Sequence, residues 1–213
     1  MSAPAALAFA KLFYPETEES HTRAEQIIIE PPQEANVLDA ATQGAASSGL
    51  LVVNITAIVV AFIAFMAFVN GIVAFLGEIV GIDGLSFDLM LGKLFIPLTF
   101  LMGVEWEDCE KVARLIGVKT ILNEFIAYRQ LGVLIKAGEL SQRSVVIATY
   151  ALCGFANPGS IGVQLATLVS IAPDRKSDFS KVAFRAFVSG TMACFLTACI
   201  AGSLYDEATY VPL

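Results

Sequence analysis

The feature that most restricts the fold of this chain is a stretch of 29 residues, 49–77, without a charged side chain. As an α-helix this stretch would be ~43 Å long, which exceeds the ~30 Å hydrocarbon core of a bilayer. Apolar segments of this length are typical of membrane spans rather than of soluble cores. We therefore predict a transmembrane helix at 48–78, in which Asn54 and Asn70 face neighbouring helices rather than lipid.

The composition agrees with an all-α membrane protein. Hydrophobic residues make up 56% of the chain and charged residues 15%, whereas soluble domains are ~45–50% apolar and ~25% charged. The net charge of −7 and the lack of a basic run argue against a nucleic-acid partner. The single histidine, His21, argues against a multi-histidine metal site, and the sequence assigns no metal ligand.

A second uncharged run, 144–173, is interrupted in its middle by the sequence GFANPGS at 154–160. Pro158 removes a backbone donor and disfavours the helical conformation at Asn157, so the helix should stop here. We predict a broken transmembrane helix at 142–173. Unwound backbone at membrane depth is tolerated where it lines a cavity, and transporters bind substrates at such breaks.

The segment 105–131 consists of two amphipathic stretches, each about half a bilayer long, which we expect to join at Gly117. This length and hinge predict a re-entrant hairpin that enters and leaves by the same face of the membrane. The preceding apolar run is too short to span, so 85–104 is predicted to be an interfacial helix.

The remaining boundaries follow from charge and apolar length. We predict the end of a truncated helix and an acidic polar loop at 1–47, a last transmembrane helix at 178–205 and a tail at 206–213. The loop 174–185 contains four basic residues, which favours a cytoplasmic position.

Glu124 lies in the apolar stretch TILNEFIAY, and an acid near the membrane centre costs about 2.5–3.5 kcal/mol on insertion scales. One interpretation is a ligand-binding or ion-linked acid with Asn123 as its hydrogen-bonding neighbour. The other is a structural role, in which Glu124 forms an ion pair with a cation such as Lys119 or lies at an interface. An acid inside the membrane is a functional candidate by default.

Asn157 and Ser160 lie at the predicted break and could bind a polyhydroxylated neutral ligand, or could cap the second half-helix. Phe155 could support a ligand ring or pack in the interior. Gln164, one turn beyond Ser160, could face the same cavity or form a hydrogen bond to a neighbouring helix. The sequence lacks GxSxG, GxGxxG and HExxH motifs, so a membrane-embedded hydrolase is disfavoured.

Three strings together resemble one family, the concentrative nucleoside transporters, and most of all their animal branch. They are FLMGVEWEDC (100–109), LIGVKTILNEFIAY (115–128) and TYALCGFANPGSIGVQL (149–165). The resemblance runs along almost the whole chain and implies the C-terminal half of an inverted-repeat transporter, so that the chain would be a fragment or short isoform. Pro158 stands where the family pattern has phenylalanine.

The resemblance implies that Glu124, Asn157 and Ser160 bind the ribose of a nucleoside, with Phe155 lining the site and Asn123 completing the motif. It further implies sodium as the coupling ion, no other cofactor, a homotrimer, contact with membrane lipid, and a multi-pass protein of the plasma membrane. The alternative is a transport-inactive truncated subunit that associates with a full-length transporter.

Overall fold

The computed structural model describes residues 2–17, 35–82 and 84–206. These ranges are helical and contain no strand, which confirms the all-helical prediction. The helices are α1 (Ala3–Phe13), α2 (Val37–Val80), α3 (Phe87–Leu101), α4 (Trp106–Ile121), α5 (Glu124–Lys136), α6 (Gln142–Leu152), α7 (Pro158–Ile171) and α8 (Lys176–Ser203), with a 3₁₀ turn at Pro173–Arg175.

Helix α2 begins at Val37, well before the predicted start at 48. The prediction of a polar loop through residue 47 is therefore wrong for 37–47. Asn36 caps the helix by accepting a hydrogen bond from the Asp39 N–H, and the alanine-rich segment that follows favours a helix. The rest of the predicted acidic loop, 18–34, lies outside the described residues, as do 207–213 of the predicted tail.

Helix α2 packs against α3 and α7 and leaves most of its apolar surface exposed; Val60, Phe65 and Phe68 are examples. Within it, Asn70 Oδ1 accepts a hydrogen bond from the Phe87 N–H at the start of α3 (2.9 Å), as expected for a polar group facing a neighbouring helix. Among the described residues, Ile63–Val80 and Pro173–Ser203 are long and apolar enough to cross a membrane by length and composition.

The core lies between α4, α6 and α8. Helix α3 packs along α4, and α8 packs along α6 and α1. Buried apolar side chains from these helices fill the centre, among them Val112, Ile116, Ile147, Leu152 and Ala198. Helix α4 lies at the centre of the domain and is buried on several sides, although it contains several charged residues.

Helices α4 and α5 form an antiparallel pair, but they join at Leu122 and Asn123 rather than at Gly117. Gly117 is buried in the middle of α4. A single glycine weakens a helix by only about 1 kcal/mol, which packing readily offsets. Asn123 sets the joint, because its Oδ1 accepts a hydrogen bond from the Ile126 N–H (2.9 Å) and thereby begins a new helix.

The outer ends of this pair are tied together. Lys111 Nζ on α4 donates to the Glu139 carbonyl oxygen (2.8 Å) and lies 3.2 Å from its carboxylate. Asp108 Oδ2 accepts from the Ser141 N–H (2.9 Å). These contacts bring the start of α4 next to the residues that follow α5. We refer to α4 and α5 below as the hairpin.

Helices α6 and α7 are separated by the connection 153–157, which is not helical. Pro158 is the first residue of α7, where its missing N–H costs no helical hydrogen bond. Gly154 in the connection packs closely against α8, because a Cβ at this position would lie 2.2 Å from Cys194 Sγ. Because Gly154 has no side chain, the connection can pack directly against α8.

We expect Gly154→Ala to lower the apparent melting temperature of the detergent-solubilised chain by roughly 5 °C, because the methyl group overpacks this contact. The additional substitution Cys194→Ala should restore most of the loss, since it removes the sulfur. Gly162→Ala on α7 is the control, because a Cβ there meets nothing within 4 Å. An equal loss in Gly162→Ala, measured by thermal-shift size-exclusion chromatography, would contradict the packing argument.

Candidate binding site at two helix N-termini

Glu124 is the first residue of α5 and is 6% exposed. Its position at a helix N-terminus places it beside the unpaired N–H groups of the first turn, which carry partial positive charge. The preceding residue, Asn123, is also buried and caps α5. The two polar residues of the Asn-Glu pair thus have different roles: Asn123 ends one helix and starts the next, and Glu124 faces the neighbouring element.

Asn157 is 3% exposed and caps α7, with its Oδ1 accepting a hydrogen bond from the Ser160 N–H (2.8 Å). Its other amide atom, Nδ2, donates to Glu124 Oε2 at 3.2 Å. The side chain therefore serves both as a cap and as a donor towards the hairpin. This contact brings the N-termini of α5 and α7 together around one carboxylate.

Lys119 and Glu124 bind different partners in the structure. Lys119 is fully buried, but its Nζ donates to the Ala151 carbonyl oxygen at 3.1 Å and lies 5.9 Å from the centre of the Phe195 ring. The carboxylate of Glu124 accepts from Asn157 instead. The alternative prediction that Glu124 forms an ion pair with Lys119 is therefore wrong, although the lysine is part of the same region.

Phe155 does not pack in the interior. It is 67% exposed, and its ring centre lies 6.1 Å from that of Phe125 in an edge-to-face arrangement. Phe125 is 68% exposed and directly follows Glu124. The sequence reasoning did not single out Phe125, although its place next to the buried acid was a signal. The two rings provide an apolar surface next to Glu124 and Asn157.

A cavity of about 350 Å³ adjoins the connection 153–157. Phe155, Asn157, Ser160 and Gln164 line it, together with apolar side chains of α7 and α8. Glu124 and Asn123 do not line this cavity. Of the contact between Asn157 and Glu124, only Asn157 therefore belongs to the cavity wall. Ser160 gives its backbone N–H to the cap, while its half-buried side chain faces the cavity.

Within the described residues, no group of three or more His, Cys, Asp or Glu side chains could hold a metal ion. The polar groups at these helix ends are the carboxylate of Glu124 and the side-chain amides of Asn123 and Asn157. Such groups can accept and donate hydrogen bonds to hydroxyl groups of an uncharged ligand.

The sequence and structure were compared with known proteins. The family model of the Na+ dependent nucleoside transporter C-terminus matches residues 1–202. The chain belongs to this family. It is 50% identical over 220 residues to solute carrier family 28 member 3 of Mus musculus, which covers 97% of this chain and 31% of the relative. It is 47% identical to sodium/nucleoside cotransporter 1 of Rattus norvegicus, covering 96% of this chain and 34% of that protein.

Solved structures give the same result. A structure of CNTnw in an inward-facing substrate-bound state has a TM-score of 0.81 and 37% identity, covering 94% of this chain and 47% of that one. A CNTnw variant in an intermediate state has a TM-score of 0.85 and 37% identity, covering 96% and 49%. The chain spans about a third of the length of the mouse and rat relatives and about half of the CNTnw chain. The relatives are transporters rather than enzymes, and the family is one of membrane proteins.

We expect Asn157→Asp to destabilise the chain, because the aspartate still caps α7 but no longer donates to Glu124 and brings a second carboxylate against it. The loss should be about 1–3 kcal/mol, a drop of several degrees in apparent melting temperature.

The additional substitution Glu124→Gln should restore stability, because the glutamine amide can donate to the new aspartate and the like-charge repulsion disappears. If Asn157→Asp alone is neutral, or if the double variant is less stable than the single one, the Asn157–Glu124 contact does not stabilise the chain. Thermal unfolding of the three purified proteins in the same detergent is the measurement.

Proposed function

We propose that this chain forms the C-terminal part of a sodium-coupled nucleoside symporter and binds the ribose of the nucleoside through Glu124, Asn157 and Ser160. The observation that carries the proposal is the hydrogen bond between Asn157 and Glu124, two buried side chains that lie at the starts of α7 and α5. The names of the relatives, sodium/nucleoside cotransporters, supply the substrate and the coupling ion.

The chemistry of the three side chains matches a sugar with neighbouring hydroxyl groups. Each hydroxyl both donates and accepts, the carboxylate of Glu124 accepts, and the amide of Asn157 does both. Hydrogen bonds to a carboxylate are stronger than those between neutral groups. The hydroxyl of Ser160 adds a further donor and acceptor. Asn123 supports Glu124 by fixing the start of α5, and Phe155 provides an apolar surface for the rest of the ligand.

In the proposed membrane arrangement, the helices that are interrupted enter the bilayer without crossing it as one continuous helix. The hairpin is re-entrant, and α6 and α7 are the two halves of one broken transmembrane helix, so that their irregular joints lie in protein at membrane depth. Helices α2 and α8 span the bilayer. We further propose that the exposed apolar side chains of α2 contact lipid or the neighbouring subunits of a homotrimer in the plasma membrane.

Glu124→Gln should abolish sodium-dependent uridine uptake in a chimera in which this chain replaces the 220 aligned residues of the mouse relative. The substitution keeps the size of the side chain but removes the charge that strengthens its hydrogen bonds to the ribose. Radiolabelled uptake is measured together with the amount of protein at the cell surface.

The matched control is Glu139→Gln, which makes the same chemical change at the outer end of the hairpin. It should leave uptake close to that of the unmodified chimera. Normal uptake by Glu124→Gln at equal surface level would contradict the assignment of the ribose site.

The alternative function is that of a transport-inactive subunit. It predicts that cells expressing these 213 residues alone show no sodium-dependent uptake, and that co-expression suppresses uptake by the full-length mouse relative. Sodium-dependent uptake by the chain alone would contradict the alternative. The two functions are thus separated by one pair of uptake measurements.

A further inference from the structure

The end of α6 carries four carbonyl groups that lack a partner within the helix, those of Thr149, Tyr150, Ala151 and Leu152. A buried carbonyl without a hydrogen bond is unfavourable, and water cannot serve at an apolar depth. Ala151 and Leu152 are fully buried. The partners of these four groups therefore decide whether α6 can stop at Leu152.

Two of the four carbonyls are bound by the connection itself. The Cys153 N–H donates to the Tyr150 carbonyl oxygen at 3.2 Å, and the Gly154 N–H donates to that of Leu152 at 2.8 Å. These are short-range turns of the kind that commonly end a helix. They leave the carbonyl groups of Thr149 and Ala151 to be bound by other parts of the chain.

The hairpin supplies both remaining partners. Tyr128 Oη on α5 donates to the Thr149 carbonyl oxygen at 2.7 Å, and Lys119 Nζ on α4 donates to that of Ala151 at 3.1 Å. Lys119 is fully buried, and burying an ammonium group is unfavourable unless it is well paired. Its Nζ donates to this carbonyl, where the negative end of the helix dipole favours a cation.

These contacts lie on both sides of the candidate site in the sequence. Lys119 precedes Glu124 by five residues, and Tyr128 follows it by four, one helical turn along α5. Their acceptors, Ala151 and Thr149, are on the helix that leads into the connection before Asn157. The hairpin therefore holds the chain both before the break, through α6, and after it, through Asn157.

We propose that Lys119 and Tyr128 are positioning residues, which bind the end of α6 to the hairpin and so keep Asn157 within hydrogen-bond distance of Glu124. They need not touch a ligand. The inference about ligand affinity rests on the function proposed above, whereas the inference about the order of the connection 153–157 does not.

Tyr128→Phe tests the proposal with the smallest change, because it removes one hydroxyl and keeps the ring. In the chimera it should raise the KM for uridine about tenfold, the effect of losing one hydrogen bond, at unchanged surface level and nearly unchanged kcat. Tyr150→Phe on α6 is the matched control and should leave KM within twofold. Lys119→Met should act in the same direction as Tyr128→Phe, whereas Lys136→Met at the exposed end of α5 should not.

A double-mutant cycle separates positioning from a general loss of stability. In a chimera carrying Asn157→Ser, which retains a capping hydroxyl, the further change Tyr128→Phe should raise KM less than twofold, because the contact that it positions is already gone. If the increases in KM caused by the two single substitutions simply multiply in the double variant, the proposal is overturned.

Hydrogen–deuterium exchange of the purified chimera provides a measurement independent of transport. The amides of 153–157 should exchange faster by about tenfold in Tyr128→Phe and in Lys119→Met, and at the original rate in the two controls. Unchanged exchange in both variants would overturn the positioning role even if uptake falls. Faster exchange with no effect on uridine KM would support the structural coupling and count against the proposed ribose site instead.

Discussion

Every interrupted helix in an apolar environment leaves backbone groups that must find partners, and the centre of this structure is arranged by that requirement. At the start of α5 and of α7 an asparagine side chain accepts a backbone N–H and begins the helix. At the end of α6 the partners are two turn amides and two hairpin side chains. The polar groups that appear as candidate ligands are therefore also the groups that make the breaks possible.

This double use explains the geometry of the site. An asparagine that caps a helix uses its carbonyl oxygen, and its NH₂ group remains available. In Asn157 that group reaches Glu124, which itself sits at the start of another helix. Helix ends thus bring a carboxylate and an amide together without a long loop.

The sequence indicated an all-helical protein, which the described residues confirm, and a break before Pro158, where α7 begins, because uncharged length and proline are local properties. It located the turn of the hairpin wrongly, at Gly117, because the cost of a glycine is small compared with the packing of α4. One of its two interpretations of Glu124, an ion pair with a cation such as Lys119, is wrong. Lys119 is close in sequence, but the core turns its ammonium towards the end of α6.

The sequence by itself determined which residues are chemically notable, since an acid, asparagines and a serine among apolar residues can be recognised from their neighbours alone. Only the tertiary structure decided which of them meet. The contact between Glu124 and Asn157 joins residues 33 positions apart, and the Lys119 contact with Ala151 joins residues 32 apart. Such pairings depend on how α4, α5 and α6 pack, and no local pattern in the chain specifies them.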